Sequence, residues 1–165
     1  MRIEQEIQTE HFSSELQKTQ LNILFTASWL RARINQALKP WKLSHEQFNV
    51  LRILRGADPA PLCVRDITAR MLDRNSNTTR ILDKLALKGL ISRAQADTDR
   101  RELDIRITSQ GLSLLDQMDQ AGVLQQIHQA GISGQEAHLL GVLLDQMRHL
   151  PDQGAAATSS RTIRT

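Results

Sequence analysis

Short hydroxyl and amide side chains stand together at positions 75–79, which read Asn-Ser-Asn-Thr-Thr. Residues of these types have mediocre helix propensity, yet they occupy the head of an amphipathic helix predicted over 74–88. Their chemistry is hydrogen bonding at short range, because they present donors and acceptors while letting the backbone approach another molecule. The segment therefore predicts contact with something other than water or the protein core.

The rest of this predicted helix divides between an apolar side and a polar side. At about 100° per residue, Ile81, Leu82 and Leu85 lie together with Thr78 on one side. The opposite side is polar and basic, and it consists of Ser76, Asn77, Thr79, Arg80, Asp83 and Lys84. Leu87 also points outward, and the pattern does not explain it.

The excess positive charge of the chain lies in the segment that contains this helix. Between Val64 and Thr108 there are ten Lys or Arg and seven Asp or Glu, an excess equal to the net charge of +3 of the whole 165-residue chain. A local basic excess favours an anionic partner such as nucleic acid.

Other kinds of functional site find little support. The five histidines form no close His-x-x-x-His pair, and there is neither a Ser-His-Asp motif nor a Gly-rich phosphate loop. The single cysteine, Cys63, is interpreted as a small buried residue rather than a redox switch. We expect no enzyme activity, no metal site and no cofactor.

The composition is that of a soluble globular protein, with 40% apolar and 24% charged residues. No apolar run approaches the ~20 residues that cross a bilayer, and the N-terminus "MRIEQEIQTE" is too acidic and polar for a signal peptide. We expect a cytoplasmic protein that does not associate with a membrane.

Two helices are predicted before the basic segment. A long amphipathic helix runs from Phe12 to just before Pro40, and its two apolar sides predict two partners, its own core and a second subunit. The next helix has Ser44 as N-cap, Gln47 completing a capping box and Gly56 as its C-terminal stop. Its predicted core face comprises Phe48, Val50, Leu51 and Leu54.

Further elements surround the polar-headed helix. A very short strand over 62–64 precedes a brief helix from Arg65 to Leu72, and Gly89 closes the polar-headed helix. The residues expected to be buried by the brief helix are Ile67, Ala69 and Met71. Alternation with a period of two, at Ile91 and Arg93 and then at Leu103, Ile105 and Ile107, predicts a hairpin with a charged loop over 96–100.

The C-terminal part is predicted to be helical again. One helix runs from 109 to about 129, Gly131 breaks it, and a second capping box at Ser133 and Glu136 opens a strongly apolar last helix. From Pro151 onward there is no pattern, which predicts a disordered tail.

The order of helix, short helix, turn, polar-headed helix and hairpin is that of a winged helix-turn-helix, in which the second helix of the pair enters the major groove of DNA. The predicted fold class is therefore mainly α with a small β-hairpin wing. Short side chains at the head of the second helix would hydrogen-bond base edges and phosphates.

Three stretches resemble the MarR family of bacterial transcriptional regulators. Residues 76–93, "SNTTRILDKLALKGLISR", are similar to its recognition helix and first wing strand. Residues 97–111, "DTDRRELDIRITSQG", are similar to its wing signature, and 132–136, "ISGQE", to the opening of its last helix. With a weaker similarity in "LSHEQFNVLRIL", the resemblance covers roughly Leu21 to Leu150.

The resemblance implies a homodimer, with first and last helices intertwined, that reads pseudo-palindromic double-stranded DNA. The residues expected at the DNA are Arg74, Asn75, Ser76, Asn77, Thr79, Arg80, Lys84 and Arg100, the last in the minor groove. Asp99 and Arg101 are expected to pair and to structure the wing. The turn "MLDRN" lacks the glycine of many members, so Asp73 and Arg74 both remain candidates for the helix cap.

Members of this family commonly bind small phenolic or aromatic-acid effectors between the dimer helices and the DNA-binding lobe. Trp29, Arg33, His45 and Phe48 come from the helices that would line such a pocket, and an aromatic wall with one cation suits a carboxylate. Core packing is the competing explanation for each of them.

The resemblance divides the chain into an N-terminal dimerisation helix (1–42), a winged helix-turn-helix lobe (43–108), C-terminal dimerisation helices (109–150) and a tail (151–165). The expected function is sequence-specific DNA binding by a ligand-responsive dimeric repressor. The alternative is a winged-helix scaffold that binds proteins and not DNA. The operator, the regulated genes, the effector and the direction of regulation are not readable from the sequence.

Overall fold

A computed structural model describes residues 2–74, 76–95 and 103–149. Its helices are α1 (Ile3–Glu6), α2 (Glu15–Leu38), α3 (His45–Ala57), α4 (Val64–Arg70), α5 (Thr78–Leu87), α6 (Ser109–Gln120), α7 (Val123–His128) and α8 (Gly134–Arg148). Its strands are β1 (Ile91–Gln95) and β2 (Leu103–Ile107). The chain divides into two compact units, 1–128 and 129–165. The predicted fold class, mainly helical with one hairpin, is confirmed.

The long N-terminal helix is confirmed as α2, which begins at Glu15, three residues after the predicted start at Phe12. Ser14 caps it by accepting a hydrogen bond from the Gln17 amide at 3.1 Å, and a 3₁₀ turn over Lys39–Trp41 ends it. The short helix α1 was not predicted, because four residues are too few for a periodic pattern to emerge. It buries Ile3, and the Glu4 carboxylate lies 2.6 Å from the Lys18 ammonium of α2.

Helix α3 supplies the centre of the core. The Ser44 and Gln47 capping box is confirmed, and all four predicted core residues are buried. The predicted stop at Gly56 is wrong by one residue, since α3 ends at Ala57. Asp58 is extended, with ψ at 134°, because a residue that precedes proline is disfavoured in the helical region.

Helix α4 packs beside α3 and begins the helix-turn-helix pair. Ile67 and Met71 are buried as predicted, whereas Ala69 is exposed. Ala69 stands two residues from each of them and therefore points to the other side of the helix, so its predicted burial was wrong. Cys63, predicted to be buried, is half-buried at the start of α4.

The hairpin has the predicted period of two. β1 and β2 are antiparallel, with Ile91 opposite Ile107 and Arg93 opposite Ile105. Leu62 forms a single bridge to Ile105 through two backbone hydrogen bonds of 3.0 Å, so only the first residue of the strand predicted over 62–64 pairs, and Val64 already belongs to α4. The predicted loop over 96–100 lies outside the described residues.

The helix predicted from 109 to about 129 is two helices, α6 and α7. Gly122 separates them with a φ of +70°, a conformation that glycine adopts without strain. In the second unit, α8 has the predicted capping box of Ser133 and Glu136, and none of its residues is buried. The tail predicted from Pro151 lies outside the described residues.

At Gly111, α6 lies too close to Leu90 and Ile107 for a larger side chain. A Cβ at this position would lie 2.3 Å from the Leu90 carbonyl oxygen and 2.7 Å from Ile107 Cγ1. We expect Gly111→Ala to lower the free energy of unfolding by about 1–3 kcal/mol through overpacking, measured by chemical denaturation at fixed protein concentration. Gly56→Ala is the control, since a Cβ there meets nothing within 4 Å, and it should leave stability unchanged or raise it by up to ~1 kcal/mol. Equal effects of the two variants would contradict the close approach at Gly111.

Candidate nucleic-acid interface

The polar-headed helix starts at Thr78, four residues later than predicted, and its cap is Asn77 rather than Asp73 or Arg74. The Asn77 Oδ1 atom accepts a hydrogen bond from the Arg80 amide at 3.0 Å. Ser76 precedes the helix, and its hydroxyl donates to the Asp73 carbonyl oxygen at 2.7 Å. Short polar side chains bond to nearby backbone in place of continuing a helix, which explains the late start.

Thr78 turns inward and joins the two helices of the pair. Its residue is 6% exposed, and its hydroxyl oxygen lies 2.8 Å from the Thr68 hydroxyl of α4 and 3.5 Å from Met71 Sδ. Leu82 and Leu85 extend this buried side along α5. The orientation of α5 is therefore fixed from its first turn.

The outward side of α5 is polar at its start and basic further along. Thr79, Arg80 and Lys84 are exposed on the helix, while Asn77 and Arg74 are exposed before it. Ser76 is half-buried. The predicted residues Asn75, Asp99, Arg100 and Arg101 lie outside the described residues. Leu87 is 88% exposed, in agreement with its predicted outward position.

The acidic residue on this outward side is paired. Asp83 Oδ1 lies 2.6 Å from Arg93 Nη1, so one ion pair links the middle of α5 to strand β1. The Nε and Nη2 atoms of Arg93 are buried and have no hydrogen-bond partner among the described residues. Because Asp83 is offset by Arg93, the exposed side of α5 keeps the positive charges of Arg80 and Lys84.

An open cleft of about 730 Å³ lies between this side of α5 and the start of α3. Its α5 wall carries Arg80, Lys84 and Leu87, and Lys88 follows directly. Its other wall carries the α3 cap residue Ser44 together with Glu46 and Gln47. Sequence periodicity missed Lys88 and Gln47 as part of this region, because their relation depends on contact between helices far apart in the chain.

The four residues predicted to line an effector pocket are not all together. The Arg33 guanidinium lies 5.3 Å from the Trp29 ring centroid and donates to the Gln126 carbonyl oxygen at 2.9 Å. Phe48 is buried in the core. His45 lines a separate pocket of about 70 Å³ together with Arg31, Glu46, Asn49, Met71, Leu72 and Asp73.

The described residues contain no cluster of three or more His, Cys, Asp or Glu that could hold a metal ion. None of the helices described is both long and apolar enough to cross a membrane.

Part of the chain matches a protein family. Residues 43–103, which contain α3, α4, α5 and β1, match the model of the MarR family. The resemblance read from the sequence is thereby confirmed, and the match supports a role in transcription regulation.

Solved structures extend the match to most of the chain. A MarR transcription factor from Planctomyces limnophilus is 27% identical, with a TM-score of 0.61, covering 83% of this chain and 95% of that one. A MarR mutant from E. coli complexed with operator DNA is 24% identical, with a TM-score of 0.67, covering 77% of this chain and 91% of that one. BpsR from Bordetella bronchiseptica, whose DNA binding is regulated by 6-hydroxynicotinic acid, is 22% identical, with a TM-score of 0.71. The match covers 86% of this chain and 98% of that one. The last two, each under 25% identical, share the fold of this chain.

The cap at Asn77 can be tested apart from any partner. We expect Asn77→Ala to lower the free energy of unfolding by about 1 kcal/mol, because the Arg80 amide loses its acceptor. Asn77→Asp keeps an acceptor oxygen and should remain within ~0.5 kcal/mol of the original protein. Chemical denaturation measures both, and equal stabilities of the Ala and Asp variants would contradict the capping role.

Proposed function

We propose that the protein is a sequence-specific DNA-binding transcriptional regulator that acts as a dimeric, ligand-responsive repressor. The observation that carries the proposal is the division of α5 into a buried side, which starts at Thr78, and an exposed polar and basic side. A helix held this firmly by one side can present the other to the major groove. The MarR domain match over 43–103 supports the same function.

The residues on the exposed side of α5 fall into two groups, those suited to bases and those suited to phosphates. Arg80 carries a planar fork of donors that can bind a guanine edge, and Thr79 offers a hydroxyl to bases. Lys84 and Arg74 serve phosphates, which fix orientation without reading sequence. Ser76 and Asn77 come close to the DNA through their backbone, since their side chains already bond within the protein.

The wing completes the contact in this proposal. Asn75 approaches a phosphate, and Arg100 enters the minor groove. Asp99 and Arg101 pair and hold the tip of the wing in shape.

A homodimer accounts for the apolar surface of the chain. Helix α2 exposes Leu24 at 67% and Trp29 at 49%, and α8 exposes Leu139 and Leu143 by more than half. Apolar surface of this extent marks an interaction site. Two lobes related by a two-fold axis would read a pseudo-palindrome with half-sites about one helical turn apart.

Ligand response is the remaining part of the proposal. The pocket at His45 and Arg31 joins an imidazole to a guanidinium and is also lined by the carboxylates of Glu46 and Asp73, so a phenol that both donates and accepts hydrogen bonds suits it better than a carboxylate. Its volume of about 70 Å³ is below the roughly 300 Å³ of small-molecule sites, so binding requires the pocket to widen. A ligand that widens it shifts α3 or the turn before α5 and thereby lowers DNA affinity.

Direct readout by Arg80 predicts a large loss on its removal. We expect Arg80→Ala to cost ~1–3 kcal/mol of specific binding to DNA from the protein's own upstream region, measured by mobility shift. Arg80→Lys is the matched variant, because it keeps the charge and loses the fork, so it should retain nonspecific binding and lose specific binding. Arg100→Ala should flatten the salt dependence by about one phosphate contact. Unchanged operator affinity in Arg80→Ala and Arg100→Ala would contradict the assignment of these two residues as DNA contacts.

The dimer predicts that one charge on the apolar surface separates the protomers. We expect Leu24→Glu in α2 and Leu143→Glu in α8 each to shift the protein toward monomer in sedimentation velocity at micromolar concentration, since a buried unpaired carboxylate is costly. Asn22→Asp is the control, because it adds a charge to α2 at an exposed polar position. Dimers that persist in both leucine variants would rule out these surfaces as the interface.

The rival function is a winged-helix scaffold that binds protein alone. Mobility-shift titration of the upstream DNA, with and without excess nonspecific DNA, separates the two functions. Specific and salt-sensitive binding supports the regulator. Its absence at low salt supports the scaffold.

A further inference from the structure

The end of α5 is tied to the start of α3 by one side chain. Lys88, which directly follows α5, is exposed as a residue and lines the same cleft as Arg80 and Lys84. Nζ donates to the Lys42 carbonyl oxygen at 2.5 Å and to Gln47 Oε1 at 3.0 Å. We call this set of contacts the Lys88 clasp.

Both acceptors of the clasp are held by their own surroundings. Gln47 is 5% exposed, and its Oε1 atom also accepts a hydrogen bond from the Ser44 amide at 3.2 Å. Lys42 has a φ of +55°, and its amide donates to the Lys39 carbonyl oxygen at 3.1 Å. The ammonium group therefore meets two oxygens whose positions the α2–α3 connection and the cap of α3 already determine.

We propose that Lys88 is a positioning residue for DNA recognition, which sets the angle of α5 by clasping its C-terminal end to the junction between α2 and α3. This inference rests on the proposed function. Thr78 fixes the first turn of α5, and a helix fixed at both ends presents Thr79 and Arg80 in one orientation only.

The hydrogen bonds of Lys88 make it less suited than Lys84 to bind a phosphate. Two of its three ammonium protons are already given to protein oxygens. Burial lowers the pKa of Lys88, and the nearby Lys84 charge lowers it further. Lys84, one turn earlier, is exposed on the cleft and is the cation suited to a phosphate.

Through the Lys88 clasp, a displacement of α2 can be transmitted to α5. Lys42 lies between α2 and α3, so a displacement of the C-terminal end of α2 moves one of the two oxygens that hold Lys88. The end of α5 then shifts, while its first turn stays fixed at Thr78. A change at the apolar surface of α2 can thereby alter the orientation of Arg80 without any contact to DNA.

The salt dependence of binding distinguishes positioning from contact. Lys88→Met and its matched control Lys84→Met are titrated as full-length proteins against the upstream DNA at several salt concentrations. We expect Lys88→Met to weaken specific binding about tenfold, the size of one lost hydrogen bond to a charged group, with the salt slope of the original protein. Lys84→Met should weaken binding and reduce the slope by about 0.9. An equal loss of slope in Lys88→Met, or unchanged affinity, overturns the proposal.

A second measurement does not depend on DNA. Lys88→Met, Gln47→Met and the double variant are compared by their denaturation midpoints, and the clasp predicts that the double variant loses less than the two single losses added together. Additive losses overturn the clasp, and if Gln47→Met does not fold, the salt slope still decides. If the original protein binds no DNA, the proposed function fails together with the positioning role, while the coupling of Lys88 and Gln47 still reports whether the clasp exists.

Discussion

The hydrogen bond from the Arg80 amide to the Asn77 side chain determines where the proposed recognition surface begins. It starts α5 at Thr78, and that start directs Thr78 into the protein and Thr79 and Arg80 out of it. If the helix began at 74, Ser76 would lie on it and would not precede it. The proposed major-groove contacts of Thr79 and Arg80 depend on this one local competition between side chain and backbone.

The rest of the lobe keeps α5 in the orientation that its first turn sets. The Thr68 and Thr78 hydroxyls meet at the beginning of the helix, Asp83 and Arg93 join its middle to the hairpin, and the Lys88 clasp holds its end. Polar contacts of this kind complement the apolar burial of α5, because hydrogen bonds constrain direction whereas hydrophobic burial does not. The lobe therefore gains a definite geometry from relatively few polar side chains.

The sequence predicted those features that depend on neighbours in the chain. The capping boxes at Ser44 and Ser133 have a fixed spacing of three, and the period of two located both strands, so these were right. The start of α5 was wrong because a run of Asp, Asn and Ser offers several possible caps, and only packing against α4 selects Asn77. The break at Gly122 was missed because the apolar pattern continues across it.

Contacts between distant segments could not be read from pattern at all. Lys88 meets residues 41 and 46 positions earlier, and Arg93 meets a carboxylate on another element. In the sequence each looks like an ordinary surface cation. The same limit applies to Trp29, Arg33, His45 and Phe48, whose shared chemistry suggested one pocket, while only His45 lies at the pocket beside Arg31.

The alternation of inward and outward residues along α5 separates what natural selection can vary from what it must keep. Thr78, Leu82 and Leu85 maintain the fold, whereas Thr79, Arg80 and Lys84 contribute little to the core. A regulator built in this way can drift to a new target sequence through changes at outward positions without passing through an unstable intermediate. Asn77 is the exception, since it lies at the proposed interface and also caps the helix, so a change there alters recognition and stability together.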